Sequence, residues 1–484
     1  MALGLPAGLY GGMTTMRPLD PASGRRAPNP ELTALRARRR TLLAAGGAAP
    51  LLGLASCGLD GGGDGPGEVG DPDLKAELPR AEPGPAEGTG RVVVPFTARM
   101  LGAIGRDEVN TVCSPLSAQV ALTMAGLGAV GDTRAQMEAV LGGTMDELAA
   151  ASNTLSSVLA TVGDEEREAD EDDAPEPAVA SLVNGVWTQE GMTVQEPYLE
   201  DLAEHFGSGV YEVDYTDDGA REDARERING WVEDATRDLI QDLIPAEQLT
   251  EDTRMVLVNA LHLKASWPKP MGTSTGSFTL ADGSGIDTEM LHGQTRGWYE
   301  DDVCRAATLG TYGGDLALAL VQPVTDVPAV LDAWAEAVGE PGGAGSGSGN
   351  GASGAGLGAL LEGIEAEQVV DVTVPTFDIA WDAALAPLLT GLGMELAFSD
   401  DADFTGITTE EELRISEVLQ KAVITVDKEG MEAAAATAVI AEAGSASAEP
   451  KELVLDSPFL FVAYETSTLA PLVLGWIGDP SLTR

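Results

Sequence analysis

The sequence predicts an α+β fold, on three observations. Runs with helical spacing, "SAQVALTMAGLGAV" and "INGWVEDATRDLIQDLI", are interspersed with strand-like runs, "TRMVLVNALHLKASW" and "VVDVTVPTFDI". Strands and helices do not alternate regularly, so a doubly wound sheet is not expected. Apolar residues make up 44% of the 484, enough for a sizeable core, and no repeat of fixed period is present. By length alone the chain fits two or three domains, or one large mixed domain.

Along the chain, the first segment is "RARRRTLLAAGGAAPLLGLASC", with arginines at 38–40 and then about fifteen apolar or small residues. That stretch is too short to span a bilayer, so residues 1–57 read as an export signal. The ending Leu54-Ala55-Ser56-Cys57 resembles a bacterial lipobox, which makes Cys57 the expected lipidation site; the other reading is a plain secretory peptide. Arg39-Arg40 before Thr41-Leu42-Leu43 resembles a twin-arginine signal. The expected location is extracellular, secreted or as a cell-surface lipoprotein, with membrane contact only through the lipid. Residues 58–90 are rich in Gly, Pro and Asp and lack apolar periodicity, so they read as a flexible linker. As a coil of about 33 residues it would reach roughly 30 Å. Residues 91–484 read as a single folded domain interrupted by two low-complexity inserts, an acidic one at 163–177 and a Gly/Ser-rich one at 339–358, both expected as surface loops.

Charge and composition exclude several functions. With 78 acidic and 28 basic residues the formal net charge is -50, so phosphate backbones and heparin-like polymers are repelled. The acidic insert has the wrong sign for a glycosaminoglycan site. Its acids read as solvated loop faces rather than as a calcium site. The three histidines, His205, His262 and His292, fall in no metal-ligand spacing, and no GxSxG elbow, P-loop or dinucleotide-binding GxGxxG is present. The sequence therefore predicts no enzyme, no metal and no cofactor. Three cysteines, Cys57, Cys113 and Cys304, cannot frame a disulfide-rich domain; Cys113 and Cys304 read either as one bridge or as two buried thiols.

Several segments converge on one family. "CSPLSAQVALTMAGLGAVGDTRAQM", "INGWVEDATRDLIQDLI", "TRMVLVNALHLKASWPKPM", "VTVPTFDIAWDAALAPLLTGLGMELAFSDDADFTGI" and the closing "LVLDSPFLFVAYETSTLAPLVLGWIGDP" resemble, in order, signature regions of the serpins. The resemblance implies a large central mixed β-sheet with two further sheets, about eight or nine helices and an exposed reactive-centre loop. It also implies a polar group under the central sheet from Ser114, Ser117, Asn259 and Gln420, with Trp267 near the top of the sheet.

Residues 428–450, "KEGMEAAAATAVIAEAGSASAEP", fall where serpins carry the hinge and reactive-centre loop. Taken alone, the alanine-rich run favours an exposed helix. Taken as a strand, it puts Met431, Ala433, Ala435, Thr437 and Val439 on one face and Glu432, Ala434, Ala436, Ala438 and Ile440 on the other. Small side chains suit insertion between existing strands, where bulk overpacks and unpaired charge is costly. The resemblance assigns the hinge to Glu429, Gly430, Met431, Glu432, Ala433, Ala434, Ala435, Ala436 and Thr437. Counting from Gly430 puts the reactive bond at Gly444-Ser445, within a window from Ala443 to Ser447. The chain departs from the family pattern at Met431, which either slows insertion or fills a gap, at Lys428, which would loosen the hinge, and at Gln420, which stands where many serpins have His.

The resemblance thus implies a suicide-substrate inhibitor, a monomer, that forms a covalent complex with serine proteases. Small residues at the bond point to elastase- or subtilisin-like proteases with small-residue specificity, and the absence of Lys or Arg between Lys428 and Lys451 disfavours trypsin-like ones. The alternative is a non-inhibitory serpin acting as a binding or carrier protein.

Overall fold

A computed structural model describes residues 71–484 except 106–107, 164–174, 237, 239, 340, 342–355, 411 and 432–449. Among the described residues there are nine α-helices: α1 (Val94–Ala103), α2 (Pro115–Leu127), α3 (Gly131–Leu141), α4 (Met145–Leu159), α5 (Glu196–Phe206), α6 (Asp218–Ala235), α7 (Val327–Val338), α8 (Leu357–Gly363) and α9 (Ala386–Gly391). The strands are β1 (Asn110–Cys113), β2 (Val179–Gln189), β3 (Val210–Val213), β4 (Met255–Ser266), β5 (Gly272–Thr279), β6 (Gly285–Glu300), β7 (Cys304–Gly310), β8 (Leu316–Pro323), β9 (Glu365–Pro375), β10 (Phe377–Ala384), β11 (Glu417–Val426), β12 (Gly430–Met431), β13 (Lys451–Val454), β14 (Phe459–Glu465) and β15 (Ala470–Ile477).

Two sheets result. The central one is mixed and six-stranded, in the order β10-β11-β12-β4-β2-β3. The other strands join a nine-stranded sheet, β1-β15-β14-β8-β7-β6-β9-β13, with β5 beside β6. The two further sheets implied by the resemblance are continuous here because β6 is shared. Its first half pairs with β5 and β9 and its end with β7, and the strand bends where the register shifts between Arg296 and Trp298. Gly297, at φ 117°, supplies a backbone conformation that other residues rarely adopt.

α2 is buried from Pro115 to Gly126, as expected for a helix that is apolar all round and enclosed by other elements. Ser114 caps it by accepting from the Ser117 N–H, and the helix packs against β4, β2 and β15. On the other face of the central sheet, Ala224, Ile228, Trp231 and Val232 of α6 cover Val256, Val258 and Ala260 of β4. With both faces covered, β4 reads as a nearly continuous apolar run rather than an alternating one. The helical pattern that runs on to Ile244 stops at Ala235; Asp238 and Asp242 take positive φ, and Ile240, Leu243 and Ile244 are buried from irregular chain.

One expectation is corrected. Residues 71–90, expected as part of a flexible linker, pack along the body. Leu74 exchanges backbone hydrogen bonds with Val210, Ala76 is buried, and Arg80 donates to the side chain and backbone carbonyl of Asn153. Leu74 covers a stretch of β3, whose open edge would otherwise present unpaired backbone groups. Cys113 and Cys304 are free, buried thiols, which removes the bridge reading; burial pushes both well above the ordinary thiol range. Most of both inserts lies outside the described residues, and Leu357 and Gly358 at the end of the second begin α8.

Candidate functional site

The site starts where β11 ends. Asp427 closes a tight turn: its carboxylate accepts from the N–H groups of Glu429 (2.7 Å) and Gly430 (3.1 Å), and its own N–H donates to the Gly430 carbonyl at 3.1 Å. The chain then doubles back as β12, which lies between β11 and β4 and is antiparallel to both. Gly430 pairs with Ser266, and Met431 pairs with Ala265 on one side and Val426 on the other.

Three hydrogen bonds hold this turn to the end of β4. The Trp267 indole N–H donates to the Asp427 carbonyl (2.9 Å), the Trp267 N–H to the Glu429 carbonyl (2.8 Å), and the Met271 N–H to the Lys428 carbonyl (2.8 Å). Lys428 also pairs with the neighbouring Glu429 at 3.3 Å. A residue that would loosen the hinge is therefore tied through its backbone. Met431 is 1% exposed and joins an apolar cluster with Ala265, Trp267, Ala422, Ile424 and Val426. The long Met431 side chain is buried there, between its strand partners Ala265 and Val426.

Below β12 the sheet changes character. β4 and β11 pair directly, in parallel, only through Val256–Val258 and Glu417–Leu419. Between that contact and β12, residues 259–264 and 420–425 carry no ladder between them. Asn259 and Gln420 are the first residues of this slot. The Gln420 amide donates to the Ser114 carbonyl at 2.7 Å and accepts from the Ser114 N–H at 3.2 Å, so one side chain satisfies both backbone groups at the start of α2. Ser117 lies one helical turn on, its hydroxyl buried without a hydrogen-bond partner. Asn259 instead donates to the Asn184 side chain across the β2–β4 pair.

Thus Ser114, Ser117 and Gln420 stand together, Asn259 bonds to a residue the sequence reading did not single out, and Trp267 belongs to the turn at the other end of the slot. Asp427 was also missed, although Asp-Lys-Glu-Gly after a strand is a turn signal. Glu429, Gly430 and Met431 are placed; Glu432, Ala433, Ala434, Ala435, Ala436, Thr437, the bond Gly444-Ser445 and Cys57 lie outside the described residues. The histidines sit on separate elements, His205 on α5, His262 on β4 and His292 on β6, and among the described residues no three His, Cys, Asp or Glu side chains form a metal-ligand cluster.

The sequence profile described as serpin (serine protease inhibitor) matches residues 93–480. The chain belongs to the serpin family. It is 31% identical over 391 residues to serpin-Z2A of Triticum aestivum, covering 77% of this chain and 90% of that one. It is 26% identical over 398 residues to neuroserpin of Gallus gallus, covering 78% and 87%. Its fold matches the thermophilic serpin tengpin in the native state with a TM-score of 0.69, at 22% identity, over 84% of this chain and 97% of that one. The serpin fold is thus reached from the sequence profile and from the structure independently.

Proposed function

We propose that this serpin is an exported inhibitor of serine proteases with small-residue specificity, acting once as a suicide substrate. The protease serine would attack the carbonyl in the Gly444-Ser445 bond or one close to it, releasing the amine of the next residue and leaving an acyl ester on the protease. Freed at that bond, the loop would extend β12 down the slot and carry the esterified protease with it. The intact chain would then be a kinetically trapped form of lower stability than the inserted one. Cys57 would tether the monomer to a cell surface.

The observation that supports this reading is the register. From Gly430 and Met431, each further loop residue steps one position down β4 and one down β11. At Ile440 the two flanking residues become Val256 and Glu417, which are already partners in the parallel contact below the slot. A strand could therefore run from Gly430 to Ile440 if β4 and β11 parted, without either one sliding. The chemistry follows the same register. Ala433 and Ala435 would join Met431 on the inward face beside Leu263, Leu261, Ile424 and Ala422. Thr437, the one hydroxyl of the run, would meet the polar pair Asn259 and Gln420. On the face under α6, Ala434, Ala436 and Ala438 would lie along His262, Ala260 and Val258.

The test is incubation of the protein with subtilisin and with an elastase. An SDS-resistant complex and a released peptide beginning within residues 444–448 are expected. Cleavage without any complex would contradict inhibition and leave a binding or carrier role.

A further inference from the structure

The first loop residue beyond β12 is Glu432, the only charge among the residues that would enter the slot from there to Ile440. A carboxylate moved between two strands and left unpaired opposes insertion strongly. The register already described gives its neighbours. If β12 were extended by one step beyond Met431, Glu432 would stand opposite Lys264 on β4 and Thr425 on β11. Directly opposed residues of antiparallel strands share a face, so all three side chains would then project to the same side.

Both neighbours present a cation, and each cation is held by another carboxylate. The Lys264 ammonium lies 2.9 Å from the Glu176 carboxylate, at the end of the acidic insert. On the other side, the Arg484 guanidinium donates to the Thr425 hydroxyl at 3.3 Å and pairs with Asp378 at 2.7 Å, while the Thr425 hydroxyl donates to Asp378 at 2.9 Å. Lys264 is largely covered, its side chain 23% exposed, whereas Glu176 is 49% exposed and sits on a surface segment.

From this we infer that Lys264 and Arg484 form the receiving site for the Glu432 carboxylate when the loop inserts, and that Glu176 and Asp378 occupy those cations until then. Insertion exchanges one carboxylate partner for another, so Glu432 enters the sheet as part of an ion pair. Lys264 and Arg484 are positioning residues for insertion. The inference rests on the insertion reading of the loop.

The experiment compares Lys264→Gln, Glu432→Gln, Glu176→Gln and the charge swap Lys264→Glu with Glu432→Lys. Each full-length variant is assayed for serpin molecules consumed per protease trapped, and for the melting temperature of the intact and cleaved forms. Lys264→Gln and Glu432→Gln should each raise the consumption per trapped protease, by about tenfold if the pair is fully desolvated in the inserting strand. Glu176→Gln should lower it, since Lys264 is released in advance. The swap should recover part of the loss that either reversal alone produces, and not all of it, because Arg484 faces the new lysine. Glu432 lies beyond the described strand, so its variants test the pairing even if a Lys264 variant fails to fold. If cleaved wild type melts no higher than intact wild type, the insertion reading fails and this inference falls with it. If wild type gains stability on cleavage while the Lys264 and Glu432 variants match it, or the swap recovers nothing, the receiving site alone is refuted.

Discussion

Gly430 lies so close to the backbone of β4 that a Cβ built on it would stand 2.3 Å from the Ala265 carbonyl oxygen. No side chain fits there without moving one of the two strands. The residue that starts β12 is thereby confined to glycine, and a substitution has to push the turn away from Ser266 or widen the slot. Gly430→Val is expected to keep the fold of the body but unseat β12. The variant should be cut by the target protease without trapping it, which gel analysis of the reaction products measures directly.

Met431 is buried between its strand partners Ala265 and Val426. Met431→Ala leaves a cavity and should lower the stability of the intact form by about 2 kcal/mol or more, read from urea unfolding. Met431→Glu buries an unpaired carboxylate at the same place. It should unseat β12 altogether and abolish trapping while the chain still folds.

Gln420 is the single side chain that satisfies both backbone groups of Ser114. Gln420→Ala leaves the buried Ser114 N–H unpaired, while the Ser114 carbonyl keeps the Ala118 N–H at 3.2 Å, and is expected to cost about 1–3 kcal/mol in denaturant unfolding. Asn259→Ala instead deprives Asn184 of its donor across β2 and β4 and is expected to cost about 1 kcal/mol in the same measurement.

Cys113 and Cys304 have thiols raised by burial well above the ordinary range. A raised value keeps the neutral thiol up to higher pH, so at pH 8 neither residue carries the reactive thiolate in the folded chain. With Cys57 replaced by Ser, a thiol-reactive dye at pH 8 should label the native protein hardly at all and label two thiols after denaturation. Labelling that starts at once in the native state would contradict the buried placement.

The parts legible in the sequence are those written as patterns of residue type. Alternating and continuous apolar runs mark β4 and β9, and the helically spaced apolar run marks α2. The run of small residues from Ala433 to Ala436 marks a segment suited to insertion. What escaped rests on single contacts between distant residues. Residues 71–90 look like a tether because Gly, Pro and Asp dominate, and their attachment depends on Leu74, Ala76 and Arg80 reaching a strand edge and helices that lie far along the chain. The burial of Met431 could not be read locally, because the gap it fills is made by β4 and β11. Asn184 was silent for the same reason: its importance comes only from standing opposite Asn259.

The most direct test of the account is the melting temperature of the chain before and after proteolytic cleavage in the window 443–447. If residues beyond Met431 extend β12 through the slot, the cleaved form should melt above the intact form by at least about 10 °C. Equal or lower melting after cleavage would contradict it.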